Sequence, residues 1–204
     1  MKKTGLLGGS FDPVHLAHVA LAETALRELA LDEMQLLPAA DPWQRPRLGA
    51  TPAQRLAMLR LAVRDKPGLV VNPVEIQRGG KTYTIDTLEQ LPDDTEYHWV
   101  LGSDQLANFC TWHRWQDIAR RVTLTVAQRP DAPAQAPQAL QALLDELGRP
   151  LVRLPFAPMQ VSASEIRRRL AAALPVDGLL DVAVAQYISQ NRLYDSPGDG
   201  PDTL

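Results

Sequence analysis

A chain of 204 residues with 45% hydrophobic content is long enough for one domain with a sizeable core. Its formal net charge of −3 excludes the broad basic field of nucleic-acid binders, so an anionic ligand would have to meet locally placed cations or backbone donors. The one cysteine, Cys110, excludes an internal disulfide and disfavours a cysteine-built metal centre. No run stays apolar for the ~20 residues of a membrane span, and Asp12 interrupts the first apolar run too early for a signal peptide. The expectation is a soluble, cytoplasmic protein with no membrane or nucleic-acid partner. Composition carries no signal for an oligomeric state.

In chain order, apolar runs of strand length alternate with helical patterns. Thr4–Leu7 reads as a strand and His15–Leu29 as an amphipathic helix. A strand at Met34–Leu37 follows, then a helix at Pro52–Arg64, with Thr51 to Gln54 as a capping box and Pro52 at the first helical position. Next come a strand at Leu69–Val71, a helix at Ile85–Leu91 and strands at Tyr97–Leu101 and Val122–Ala127. Asp131–Pro137 is a Pro/Ala-rich loop before a helix at Gln138–Leu147 and a strand at Leu151–Leu154. Helices at Ser164–Ala173, with a second capping box from Ser162 to Glu165, and at Leu179–Gln190 close the series. Residues 1–194 read as a single domain, and the Pro-, Gly- and Asp-rich segment 195–204 as a fraying tail. The alternation predicts an α/β fold: a doubly wound parallel sheet with helices on both faces and a C-terminal helical portion.

Ligands of such sheets bind beyond the carboxyl ends of the strands, where strand order reverses. Two candidate strands end in glycine followed by polar residues: Leu7-Gly8-Gly9-Ser10 and Leu101-Gly102-Ser103-Asp104. If they are neighbours, they frame one crevice. Gly8 and Gly9 permit a sharp turn and a close backbone approach. His15 and His18, three residues apart, share one face of the first helical turn. With the helix N-terminus they form an anion site. Neither a dinucleotide fingerprint nor a phosphate-binding loop ending in Gly-Lys-Ser/Thr is present. A protein-held metal would need Asp12 as a third ligand and ranks well below phosphate binding.

The string GGSFDPVHLAH, residues 8–18, resembles the GG-T/S-FDPVH-x-GH signature of the H-x-G-H nucleotidyltransferase superfamily. Within it, the chain is similar to the bacterial nicotinate-mononucleotide adenylyltransferases over nearly its whole length. Tyr83-Thr-Ile-Asp-Thr-Leu88 resembles their YT-x-x-TL segment. Gly102-Ser-Asp104 with Thr111-Trp112 resembles G-x-D…TW, and Val161 to Arg167 resembles IS-S/A-T-x-IR. Ala17 stands where the family has glycine, and Ser164 where it has threonine. Trp43-Gln44-Arg45 replaces a Pro-Pro-His-Lys/Arg string.

The resemblance implies a Rossmann-like fold and transfer of AMP from ATP to nicotinate mononucleotide, with release of pyrophosphate. The mononucleotide phosphate is already ionised, so catalysis can consist of positioning and charge stabilisation. It further implies that His15, His18 and Arg167 act on the phosphates. Gly8, Gly9, Ser10, Phe11, Asp104, Ser162 and Arg129 then complete the ATP site. Arg45, Thr84, Asp104, Trp112 and His113 take the mononucleotide, with Trp112 as platform for the pyridine ring. Thr111 reads as a helix cap that puts Trp112 at a helix N-terminus. Mg²⁺ is expected to be held mainly by ATP phosphates and water rather than by protein ligands. Two other readings stay open: adenylyl transfer to another phosphate such as phosphopantetheine, and a non-catalytic nucleotide sensor.

Overall fold

The computed structural model describes residues 1–42, 48–128, 134–157 and 159–195. Arg45, Arg129 and the tail expected to fray beyond Asp195 lie outside them. All six expected strands form, within a residue or two of their expected bounds: β1 (Lys2–Gly9), β2 (Glu33–Pro38), β4 (Leu69–Val71), β6 (Thr95–Gly102), β7 (Thr123–Gln128) and β8 (Val152–Pro155). They pair in parallel in the order β4-β2-β1-β6-β7-β8. From β1 the chain builds outward through β2 and β4, then returns to β6 on the other side. The reversal therefore falls between β1 and β6, whose register sets Leu6 opposite Trp99.

Side chains of a strand alternate between faces, and here both faces are apolar. Leu7, Met34, Leu36 and Val100 pack into one core with Val19, Ala22 and Ala25 of α1 (Leu16–Glu28) and Met58 and Leu59 of α2 (Pro52–Val63). Val184 and Ile188 of α9 (Val182–Gln190) complete that layer. Leu6, Leu37, Trp99, Leu101 and Leu124 face the second core. It is closed by Ile85 and Leu88 of α4 (Thr84–Leu88), Ile118 of α6 (Trp115–Arg121) and Leu140 of α7 (Gln138–Glu146). The helix after β8, α8 (Ala163–Ala171), adds Ile166 to the first core.

Short elements escaped the sequence reading. A two-stranded sheet joins β3 (Asp41–Pro42) to β5 (Lys81–Thr82). Helices α3 (Val74–Arg78) and α5 (Ser103–Ala107), with the 3₁₀ turn Phe109–Thr111, are also additions, as is α6. Elements of two to seven residues are too short to display a period. One capping box is complete: the Thr51 hydroxyl accepts from Gln54 N–H while the Gln54 side chain accepts from Thr51 N–H. The second is half made. Ser162 Oγ accepts from Glu165 N–H, but the Glu165 carboxylate is taken by Arg168 and Arg169.

Candidate active site

A cleft of about 410 Å³ opens where the sheet reverses, a size suited to a small-molecule ligand. Gly8, Gly9 and Ser10 at the end of β1 and Trp99 to Gly102 at the end of β6 form its floor. His15 and His18 line it from the start of α1, Ser162 to Ser164 from the start of α8, and Tyr83 and Thr84 from the start of α4. Trp112 and His113 close another wall. Nine of the expected site residues thus meet at one place: Gly8, Gly9, Ser10, His15, His18, Thr84, Trp112, His113 and Ser162.

The glycines serve packing more than turning. A methyl on Gly8 would approach Trp99 Cζ2 at 3.0 Å, and one on Gly9 would approach Phe11 Cζ at 3.2 Å. The turn itself is made by Phe11 at φ 48° and by the cis Asp12–Pro13 peptide. Phe11 is buried, with its ring edge-on to His18 at 5.0 Å between centroids.

His15 is the N-cap of α1 and His18 its third residue. Their rings stack at 3.7 Å with 22° between planes. His18 Nδ1 accepts from His15 N–H at 3.2 Å, so the neutral His18 ring carries its proton on Nε2. Burial pushes the His15 imidazole down to about 4 and keeps it neutral at physiological pH. Its Nδ1 is buried without a hydrogen-bond partner. The neutral His15 ring and the His18 ring stacked on it stand beside the positive end of a 13-residue helix.

Residues 6–169 match the cytidylyltransferase-like family. Probable nicotinate-nucleotide adenylyltransferase of Bordetella petrii is 58% identical over 95% of this chain and all of its own length. The protein of that name from Herpetosiphon aurantiacus is 40% identical over 95% of this chain and 99% of its own. The chain belongs to the nicotinate-nucleotide adenylyltransferase family. In fold it resembles Plasmodium falciparum nicotinic acid mononucleotide adenylyltransferase solved with NaAD, at a TM-score of 0.76 and 16% identity over 97% of this chain and 99% of that one. A putative nicotinate-nucleotide adenylyltransferase from Vibrio parahaemolyticus gives 0.69, also at 16% identity, over 97% and 98%.

Other expected residues of this family member stand elsewhere. Asp104 is exposed on α5, between the cleft residues Gly102 and Gln105. Arg167 lies one turn beyond Ala163 on α8, half-buried, and its Nη1 donates to the Asp12 carbonyl at 2.8 Å. Trp112 is not at a helix N-terminus, contrary to expectation. Thr111 ends the 3₁₀ turn, and Arg114, in the left-handed region at φ 52°, precedes α6. Trp112 instead packs on Phe109 at 5.1 Å, with its buried Nε1–H unpartnered. A ligand acceptor there would satisfy a donor otherwise left bare.

Four supporting residues were not recognised as such in the sequence. The Asp12 carboxylate, 1% exposed, accepts from Gly49 N–H, Ala50 N–H and Tyr194 Oη–H, so it is no free metal ligand. Arg55 is fully buried, with Nη1 on Ser10 O and Nη2 on Ala39 O, each at 2.6 Å. It holds the β1 turn against the loop after β2. Its position with Met58, Leu59 and Ala62 on one helix face was a readable signal. Glu75 of α3 lines the cleft and accepts from the Thr87 hydroxyl at 2.7 Å. Burial pushes its carboxyl up to about 7. Neither Glu75 nor Tyr194 carried a sequence signal.

Proposed function

We infer that this chain transfers AMP from ATP to nicotinate mononucleotide, giving nicotinate adenine dinucleotide and pyrophosphate. Family membership at 58% identity over 95% of the chain supports the reaction. The single structural observation that carries it is the cleft itself, with two helix N-termini and the stacked His15–His18 pair at the strand reversal. The mononucleotide 5′-phosphate oxygen attacks the α-phosphorus in line. Its bond forms as the bond from the α-phosphorus to the bridging oxygen breaks, and pyrophosphate departs with that oxygen.

The chain supplies position and charge stabilisation. His18 Nε2–H serves the α-phosphate, and His15 supports it from the same turn. The amides near Gly9 and Ser10, and the start of α8 at Ser162, take the remaining phosphate oxygens. Arg167, with Phe11 setting the loop beneath it, serves the β- and γ-phosphates. Asp104 accepts from ribose hydroxyls at the rim. Arg129 and Arg45 add cations for ATP and for the mononucleotide phosphate, respectively. Thr84 N–H, in the first turn of α4, and His113 meet the pyridine substituent beside Trp112.

A magnesium ion would be held mainly by the ATP phosphates and water, where it would supply neutralisation of phosphate charge. The donor set fits that role, because the cleft wall around the phosphate path offers N–H donors and no cluster of three metal-ligating side chains among the described residues. A reaction that draws on ATP is consistent with a cytoplasmic enzyme. Among the described residues no helix is long and apolar enough to cross a membrane. The assay is pyrophosphate release from MgATP with nicotinate mononucleotide and, separately, phosphopantetheine. Release with the first only is expected; release with the second only reassigns the acceptor, and none with either supports a nucleotide sensor.

A further inference from the structure

Tyr194 stands four residues beyond the end of α9, far in sequence from the glycine turn and next to it in space. It is 8% exposed and adopts φ 65°, in the left-handed region that a bulky residue rarely takes. Its hydroxyl donates to Asp12 Oδ1 at 2.6 Å across 182 residues of chain. The same carboxylate fixes Gly49 N–H at 2.7 Å and Ala50 N–H at 3.0 Å. The carbonyl of Asp12 receives the Arg167 guanidinium at 2.8 Å. Gly49 is wedged between the last two partners: a methyl placed on it would lie 2.6 Å from Tyr194 Cε1 and 3.5 Å from Arg167 Cδ.

We propose that Tyr194 is a positioning residue that, through Asp12 and against Gly49, holds the Arg167 guanidinium ready for the ATP polyphosphate. Asp12 is then a hub rather than a ligand. Its side chain binds Gly49 and Ala50, just before α2, to Tyr194 beyond α9, while its main chain presents Arg167. Burial and the neighbouring Asp12 charge keep the phenol protonated, so it remains a donor throughout the working pH range. Without the hydroxyl, Asp12 Oδ1 loses one of two donors in a dry site, and the Asp12 backbone is free to shift. A displacement of about 1 Å at a phosphate-binding cation can cost up to about a hundredfold in rate.

The proposal rests on the ATP reading above, and a double-mutant cycle tests it. Tyr194→Phe keeps the ring against Gly49 and removes only the hydroxyl. It is expected to lower kcat/KM for MgATP about tenfold and to weaken MgATP binding in calorimetry by a similar factor. In an Arg167→Ala background the same substitution should cost less than twofold, because the cation it positions is gone. Gly49→Ala, which intrudes between the ring and Arg167 Cδ and leaves the hydroxyl in place, should reproduce the loss and the same dependence on Arg167. Equal losses in both backgrounds, or none in either, overturn the proposal and leave Tyr194 a stabilising contact. Wild-type protein that binds MgATP but forms no dinucleotide defeats the substrate assignment, while the binding cycle still judges the role of Tyr194.

Discussion

His15 and His18 have different jobs although they share one turn. His15 caps α1, is 8% exposed and stays neutral. His18 reaches back to the cap through Nδ1 and keeps Nε2–H as a donor. His18→Ala should therefore fold but lose roughly 10²–10³ in kcat, the usual cost of one well-placed transition-state donor. Near-normal turnover in a folded variant removes His18 from the chemistry. The neighbouring Ala17 is the second residue of α1, where the family's glycine would remove a methyl beside the proposed phosphate path. Ala17→Gly should leave KM for ATP unchanged or lower, with a stability loss below about 1 kcal/mol so close to the helix end. A large rise in KM would mean that the turn is built around alanine.

Helices α3 and α4 are joined by a polar chain rather than by an apolar seam. Arg78 Nη2 donates to Thr87 Oγ1, which donates to Glu75 Oε1. Burial raises the Glu75 carboxyl from its ordinary 4.5 to about 7. The folded protein therefore holds a proton that the unfolded chain has released. That contribution is complete below pH 4.5 and disappears as pH rises through 7, and it is worth at most about 3 kcal/mol. His15 works in the opposite direction. Its folded value of about 4 lies below its ordinary 6.5, so its contribution is present above 6.5 and is lost as pH falls toward 4. Glu75→Gln removes only the first effect. Its Tm relative to wild type should rise between pH 5 and pH 8, by roughly 5–10 °C at most for a chain of this size. A pH-independent Tm difference in thermal scans would place Glu75 in contact with water.

The whole molecule assembles the cleft from parts distant in the chain, and two predictions depend on that assembly. Nicotinate mononucleotide carries a carboxylate where the amide analogue carries a group with two N–H donors. Thr84, the first residue of α4, lines this end of the cleft, where its N–H is the proposed donor to that substituent. One charge-assisted hydrogen bond, at about 1.5–3 kcal/mol, gives the acid an advantage of about tenfold or more in kcat/KM. Trp112→Ala should weaken both substrates, since stacking does not depend on the substituent. Equal kcat/KM for the two mononucleotides would refute the donor wall. The second prediction concerns the end of the described chain. Removal of residues 195–204 should leave Tm and activity unchanged, whereas removal of Tyr194 as well takes away the ring beside Gly49 and the donor to Asp12. A marked fall in Tm or activity on removal of residues 195–204 alone would show that the tail docks.

The six apolar strand runs and the longer helical periods determined an α/β sheet covered on both faces, because alternation and 3.6-residue periodicity are local properties of the chain. The string Gly8 to His18 determined which strand end to watch, and the four motifs determined the family. Tertiary structure decided which ends meet. Only the pairing of β1 with β6 brings Gly8 beside Trp99 and sets His15, Ser162 and Thr84 around one space. Thr111 looked like a helix cap because threonine is a common N-cap, but the chain uses it to end a 3₁₀ turn. The supporting roles of Glu75, Asp12 and Tyr194 were silent for a deeper reason. A carboxyl raised by burial, or a hydroxyl that reaches across 182 residues, has no periodicity and no neighbour in sequence. Such roles arise from burial and partners, which exist only once the chain has folded.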